Sequence, residues 1–267
     1  MSPFGICKVS VACLRSLPDH DAPLISQALF GENVEIVSRK NNKWFKVRCC
    51  WDHTVGWMDP RQLHVVKEVE LRKMDKEADT FALDHLTGLS SEATTIPISL
   101  GSDLHHCDGI NVRYPFGKYT YNGTIVSLAQ SRHSPKLLVN IARRYLHTPY
   151  QRGGRSVLGL DNGGLTQVIY KMIGIRLPRS VIDQSKIGYD IGFHSEAKVG
   201  DLVFCESVSG GGIDKCGIVL EPGMVLHLDS YVKVDVLDQQ GIYDANRKKY
   251  LSQLRSIRRV NVLTEKD

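Results

Sequence analysis

The stretch best equipped for chemistry is Tyr145 to Tyr170, where a loop holding Gly153, Gly154 and Gly159 runs into Asp161-Asn162-Gly163-Gly164. Beyond it, apolar residues fall at Leu165, Val168, Ile169, Met172 and Ile173, the stripe of a helix that packs one face on a core. Asp161 or Asn162 is the expected N-cap, and Gly174 the stop. A thiol at the start of such a helix would sit at the positive end of its dipole and ionise readily, which makes a nucleophile. The chain has Asn162 there, and a carboxamide neither ionises near neutrality nor attacks a carbonyl. The seven cysteines, at 7, 13, 49, 50, 107, 205 and 216, form no CxxC and outline neither a disulfide framework nor a zinc site. His105-His106-Cys107 lacks a second cluster at ligand spacing, so these residues are expected in an exposed loop, with no metal and no cofactor.

The wording of this stretch is specific. PYQRGGRSVLGLDNGGLTQVIY resembles the nucleophile segment of the NlpC/p60 cell-wall cysteine peptidases, usually PYxWGGxSxxGxDCSGLxxxVY. IRLPRS, VGDLVFC, DKCGIVLEPGMVLHLDS and VKVDVL follow in that family's order, and the resemblance runs from about Pro135 to Val260. It implies that the nucleophilic cysteine falls on Asn162 and the small residue after it on Gly163. The general-base histidine falls on Lys215, and the polar residue that orients it on His227. The tyrosine that helps polarise the scissile carbonyl falls on Tyr150, the cleft tryptophan on Arg152, and Asp161 is kept. Asn162, Lys215 and His227 are thus degenerate catalytic positions, while Tyr150, Arg152, Asp161 and Gly163 are expected to line the cleft.

Without the sulfur and the imidazole, no turnover by the inherited route is expected, since loss of a nucleophile alone costs roughly a million-fold in a triad enzyme. A lysine keeps its proton to about pH 10 unless burial intervenes, so Lys215 is a cation rather than a base. A hydrogen bond from Lys215 to Asn162 would close the old site. Cys216, next to Lys215 on a strand, should face away from the cleft, and Cys205 reads as core.

The scaffold can be read around these positions. The fold class is α+β: a papain-like domain over 131–267, helices packed on an antiparallel sheet, preceded by one or two small β-barrels. Residues 1–66 alternate in short strands, Leu24 to Leu29, Asn33 to Val37, Trp44 to Cys49 and Val55 to Met58. Their VACLRSLP and VGWMD segments resemble a bacterial SH3-like (SH3b) domain. Residues 67–130 are read as a charged linker helix, Lys67 to Asp79, and a second, degenerate SH3-like domain built from Thr94 to Ser99, Asn111 to Tyr114, Lys118 to Tyr121 and Gly123 to Leu128. Ser134-Pro135 opens the first helix of the last domain. Gly241 to Tyr250 reads as a polar excursion before a final strand, Leu254 to Val260.

A net charge of +5 over 267 residues, with no basic block interleaved with aromatics, gives no reason to invoke nucleic acid. No run approaches the roughly 20 apolar residues of a membrane span. The N-terminus has no signal-peptide pattern, and the unpaired cysteines suit a reducing compartment, so a cytoplasmic protein is expected. Three functions follow from the resemblance. The first is a pseudoenzyme that binds murein peptides, another small anionic peptide or a protein partner, with Arg152, Arg155 and Lys215 making the cleft cationic. The second is an active γ-D-glutamyl-dipeptide cysteine endopeptidase with a relocated nucleophile, and the third a structural interaction protein.

Overall fold

The computed structural model describes residues 3–41, 43–75, 79–131, 133–207 and 210–260. The chain divides into two compact units, residues 1–131 with 152–157, and residues 132–151 with 158–267.

In the first unit, strands β1 (Phe4–Cys7), β2 (Val11–Arg15), β3 (Leu24–Leu29), β4 (Asn33–Lys40), β5 (Trp44–Cys49), β6 (Val55–Met58) and β7 (Leu63–Val66) form one antiparallel sheet, in the order β3-β2-β6-β5-β4-β1-β7. Period-two burial drives it: β2 buries Ala12 and Leu14, which meet Val34, Val47 and Met58 in one cluster. β4 runs past the Val37 expected as its end, because a bulge between Ile36 and Ser38 breaks the alternation while pairing with β5 continues to Lys40.

Helix α1 (Glu68–Asp75) follows. Its charged sequence suggests a solvated face, yet Leu71 is buried in a cluster with Ile6, Phe30, Leu89 and Ile98. Residues 76–78 of the stretch read as linker lie outside the described residues. Strands β8 (Thr80–Ala82), β9 (Leu86–Ser90), β10 (Thr95–Ser99), β11 (Asn111–Tyr114), β12 (Gly117–Tyr121) and β13 (Ile125–Ser127) make a four-stranded sheet, β10-β9-β12-β11, and a β13-β8 pair, and a short helix, α2 (Leu128–Ser131), follows β13. His105 is not on an exposed loop: it is 1% exposed, and its Nε2 lies 2.9 Å from the Gly31 carbonyl. A two-residue strand, β14 (Arg155–Ser156), also belongs to this unit.

The second unit opens with α3 (Pro135–Arg144), where the Ser134 hydroxyl accepts from the Leu137 amide and Leu138, Ile141 and Ala142 are buried. After β15 (Gly159–Leu160) come α4 (Asn162–Lys171) and α5 (Val181–Gln184). Strands β16 (Tyr189–Asp190), β17 (Leu202–Ser207), β18 (Ile213–Glu221), β19 (Met224–Leu228), β20 (Val232–Leu237), β21 (Gly241–Asp244) and β22 (Lys249–Arg259) follow, in the sheet order β16-β22-β17-β18-β19-β20-β21. Pairing of β21 with β22 closes six of them into a barrel. Helices on an antiparallel sheet were expected, but Gly241 to Tyr250 is mostly strand rather than a polar excursion. Ile242 is buried in the barrel core and only the Asp244 to Lys249 turn is polar, which hid the hairpin.

Register sorts the side chains. Lys215 opposes Cys205, Gly217 opposes His227, and His227 opposes Lys233, while Val225 lies opposite both Val219 and Asp235. Residues directly opposed share a face, so Lys215, His227, Lys233 and Asp235 lie on the face that carries Val203, Cys205, Val219 and Val225 of the barrel core. Cys216, one residue out of phase, faces α4. No helix among the described residues is long and apolar enough to cross a membrane.

Candidate functional site

The start of α4 is fixed from two sides. Asp161 is the N-cap, its Oδ1 accepting from the Gly164 amide at 2.8 Å, and Arg179 grips both of its carboxylate oxygens at 2.8 and 2.7 Å. Asp161 is therefore held as a cap and an ion-pair partner. Gly163 is required by a close approach, since a Cβ there would stand 2.3 Å from the Arg179 carbonyl oxygen.

Asn162 is the first residue of the helix. Its Oδ1 is buried with no hydrogen-bond partner, so the Lys215–Asn162 bond that would close the site is not made. Lys215 instead points its Nζ at the Leu251 carbonyl, at 3.5 Å, and at Asp229, 4.0 Å away. The thiol of Cys216 donates to the Asn162 carbonyl at 3.1 Å, far closer to the helix start than a residue facing away would come. Even so, Cys216 is 1% exposed. Burial pushes its thiol up to about 12, against a smaller downward pull from Thr166, so it carries no thiolate at neutral pH. Cys205 is core, as expected, and burial raises it to about 11.

The space beneath the helix start is filled. The Thr166 hydroxyl donates to Gln184 Oε1 at 2.6 Å, and Gln184 Nε2 donates to the carbonyls of Gly163 and Pro178 at 3.0 and 2.8 Å. Gln184 is fully buried, and Asn162, Gly163, Thr166, Gln184 and Cys216 form one hydrogen-bonded knot. Such a knot fixes the backbone of the first turn.

His227 is also buried, with Nε2 2.8 Å from Asp235 Oδ2. From there charges alternate. Lys233 Nζ is 2.8 Å from Asp235 and 2.7 Å from Asp244, Arg247 is 3.7 Å from Asp244 and 2.8 Å from Asp229, and Asp229 reaches Lys215. Burial raises the Asp235 carboxyl, but the hydrogen bonds from His227 and Lys233 outweigh it and hold the group below the usual carboxylate range. Asp244 is brought to about 2, chiefly by the Lys233 hydrogen bond. His227 is thus tied, through Asp235, to a chain of alternating charges.

Residues 147–255 match the NlpC/P60 family and residues 14–63 the bacterial dipeptidyl-peptidase SH3 domain. The chain carries an NlpC/P60 domain. Among its relatives is a protein from Bacillus cereus named gamma-D-glutamyl-L-lysine dipeptidyl-peptidase, 26% identical over 257 residues, 85% of this chain and 75% of the relative. A protein of the same name from Bacillus subtilis is 25% identical over 221 residues, 78% of this chain and 73% of the relative. The architecture recurs in the crystal structure of an NlpC/P60 family protein from Bacillus cereus, with a TM-score of 0.80 at 23% identity, covering 98% of this chain and 100% of that one. The fold is the expected one, a papain-like NlpC/P60 domain preceded in the chain by an SH3-like, β-rich domain.

The remaining positions read from the sequence are distributed. Tyr150 is 49% exposed, and its backbone amide donates to the Ser230 carbonyl. Arg152 is exposed and belongs to the first unit's segment. Arg155, expected to make the cleft cationic, does not. It is 2% exposed and pairs with Glu32 at 2.7 and 3.0 Å, while its guanidinium also donates to the Gln27 carbonyl at 2.7 Å, all within the first unit. No metal-binding group of three or more ligands occurs among the described residues. The sequence reading missed Asp235, Arg179 and Gln184. The alternation in VKVDVL does place Lys233 and Asp235 on one face, but nothing local shows that His227 shares it.

Proposed function

We propose that this protein is a non-cutting NlpC/P60 homologue that binds murein peptides rather than hydrolysing them. NlpC/P60 relatives act on peptidoglycan peptides, and the names of the two Bacillus proteins point to a γ-D-glutamyl-L-lysine bond. The observation that carries the reading is the state of the nucleophile position. Asn162 occupies it, and Cys216, the thiol bonded to it, is buried and protonated. Acyl transfer needs a nucleophile that attacks the carbonyl and a base that takes its proton, and neither Asn162 nor Lys215 supplies one. Tyr150, exposed at 49%, remains free to meet a peptide.

Titration calorimetry of the full chain with L-Ala-γ-D-Glu-L-Lys, followed by mass spectrometry of the mixture, tests this. Saturable heat with intact tripeptide supports binding without cleavage. Released L-Ala-γ-D-Glu would restore the reading of an active peptidase, and absence of heat would leave an interaction protein.

A further inference from the structure

A hollow of about 270 Å³ opens beside β20 and β21, and its lining includes the rings of His147 and Tyr231 and the charged Lys233, Asp235, Asp244 and Arg247. It shares no lining residue with Asn162, Lys215 or Tyr150. We propose that this hollow binds an α-amino acid in its zwitterionic form, with the carboxylate at Arg247, the ammonium at Asp235 and Asp244, and the side chain along the rings of Tyr231 and His147. The inference stands on these residues alone and does not depend on what the Asn162 site does.

Charge decides the class of ligand. The lining holds two cations and two anions, already joined in the alternating chain. An added anion or cation would leave an unbalanced charge among groups largely withdrawn from water, which is costly. A zwitterion adds none, and its two poles meet partners of opposite sign held in place beforehand, which reduces the ordering cost of binding. Arg247, 48% exposed at the side chain, is the accessible end, whereas Lys233, Asp235 and Asp244 are exposed by 14, 11 and 4%. The apolar side is equally built: the rings of Tyr231 and His147 stack at 6.0 Å with 16° between their planes. His147 holds a left-handed backbone at φ +68°, which is uncommon for a residue other than glycine. At about 30 Å³ per water the hollow has room for roughly nine waters, the scale of one amino acid.

The test uses three compounds that share one carbon chain: norleucine, pentylamine, which lacks the carboxylate, and hexanoate, which lacks the ammonium. Each is titrated into the isotopically labelled full chain, with the amide signals of Tyr231, Lys233 and Asn246 as the readout. Norleucine should give saturable shifts at these residues, and each truncated compound should bind at least tenfold more weakly. Arg247→Gln, at an exposed position, should weaken norleucine at least tenfold. His147→Asn, which suits the left-handed backbone, should weaken it less while leaving the thermal midpoint unchanged. The proposal is overturned if norleucine gives no saturable shift, if pentylamine or hexanoate binds as well, or if a folded Arg247→Gln protein binds norleucine unchanged.

Discussion

Asn162 opens a helix whose first turn is fixed around it. The cap on Asp161 and its Arg179 pair are complete, so the position is firmly held. What it holds is a carboxamide, with Oδ1 buried and unpartnered. Gly163 beside it is locked by the Arg179 carbonyl. Gly163→Ala should therefore lower stability by about 1–3 kcal/mol, the usual range for forcing extra volume into a packed site, read as a drop in thermal midpoint. An unchanged midpoint would show that the Arg179 loop gives way freely. The sequence made this position legible because asparagine stood where a strongly patterned segment expects cysteine. Arg179 was not legible, since its carbonyl reaches Gly163 from sixteen residues away in the chain.

Among the elements, the strands carry the electrostatics. Period-two alternation was enough to recover β5 and β6, and most of the four-stranded sheet of the first unit. It failed at the Val37 bulge and at the β21–β22 hairpin, where a polar turn masked the pairing that closes the barrel. The charge chain joining His227 to Asp229 was hidden for a similar reason, as it depends on register across three strands. That chain predicts an acid response. Asp235 and Asp244 titrate in the folded state below the ordinary carboxylate value of 3.8, Asp244 at about 2. A depressed carboxylate contributes stability that is present above its unfolded pKa and lost as pH falls through the folded one. The thermal midpoint should hold down to about pH 4 and then fall toward pH 2. In Lys233→Met the midpoint should be lower at pH 7 and the fall shallower, and an equally steep fall would exclude Lys233 as the cause. In the first unit, the buried Arg155–Glu32 pair gives a second test. Arg155→Met strands a buried carboxylate and should cost roughly 3–5 kcal/mol, measured by denaturant unfolding. Adding Glu32→Gln should recover much of this, because a neutral amide there keeps an acceptor for the Leu29 amide, now bonded to Glu32 at 2.9 Å. A double variant as unstable as the single would contradict the assignment.

At the scale of the whole molecule, an NlpC/P60 domain follows an SH3-like domain in sequence, and family order along the chain was enough to read both. The fate of single charges was not, because Arg155 was assigned to a cleft by its neighbours in sequence and is buried against Glu32 instead. The proposal of binding without cutting rests on a papain-like scaffold in which Asn162 opens the capped helix and the thiol of Cys216 beside it is buried. Incubation of the purified full chain with L-Ala-γ-D-Glu-L-Lys, with and without prior iodoacetamide, measures this most directly. The account predicts intact tripeptide in both samples. L-Ala-γ-D-Glu released by the untreated protein and absent after alkylation would contradict it.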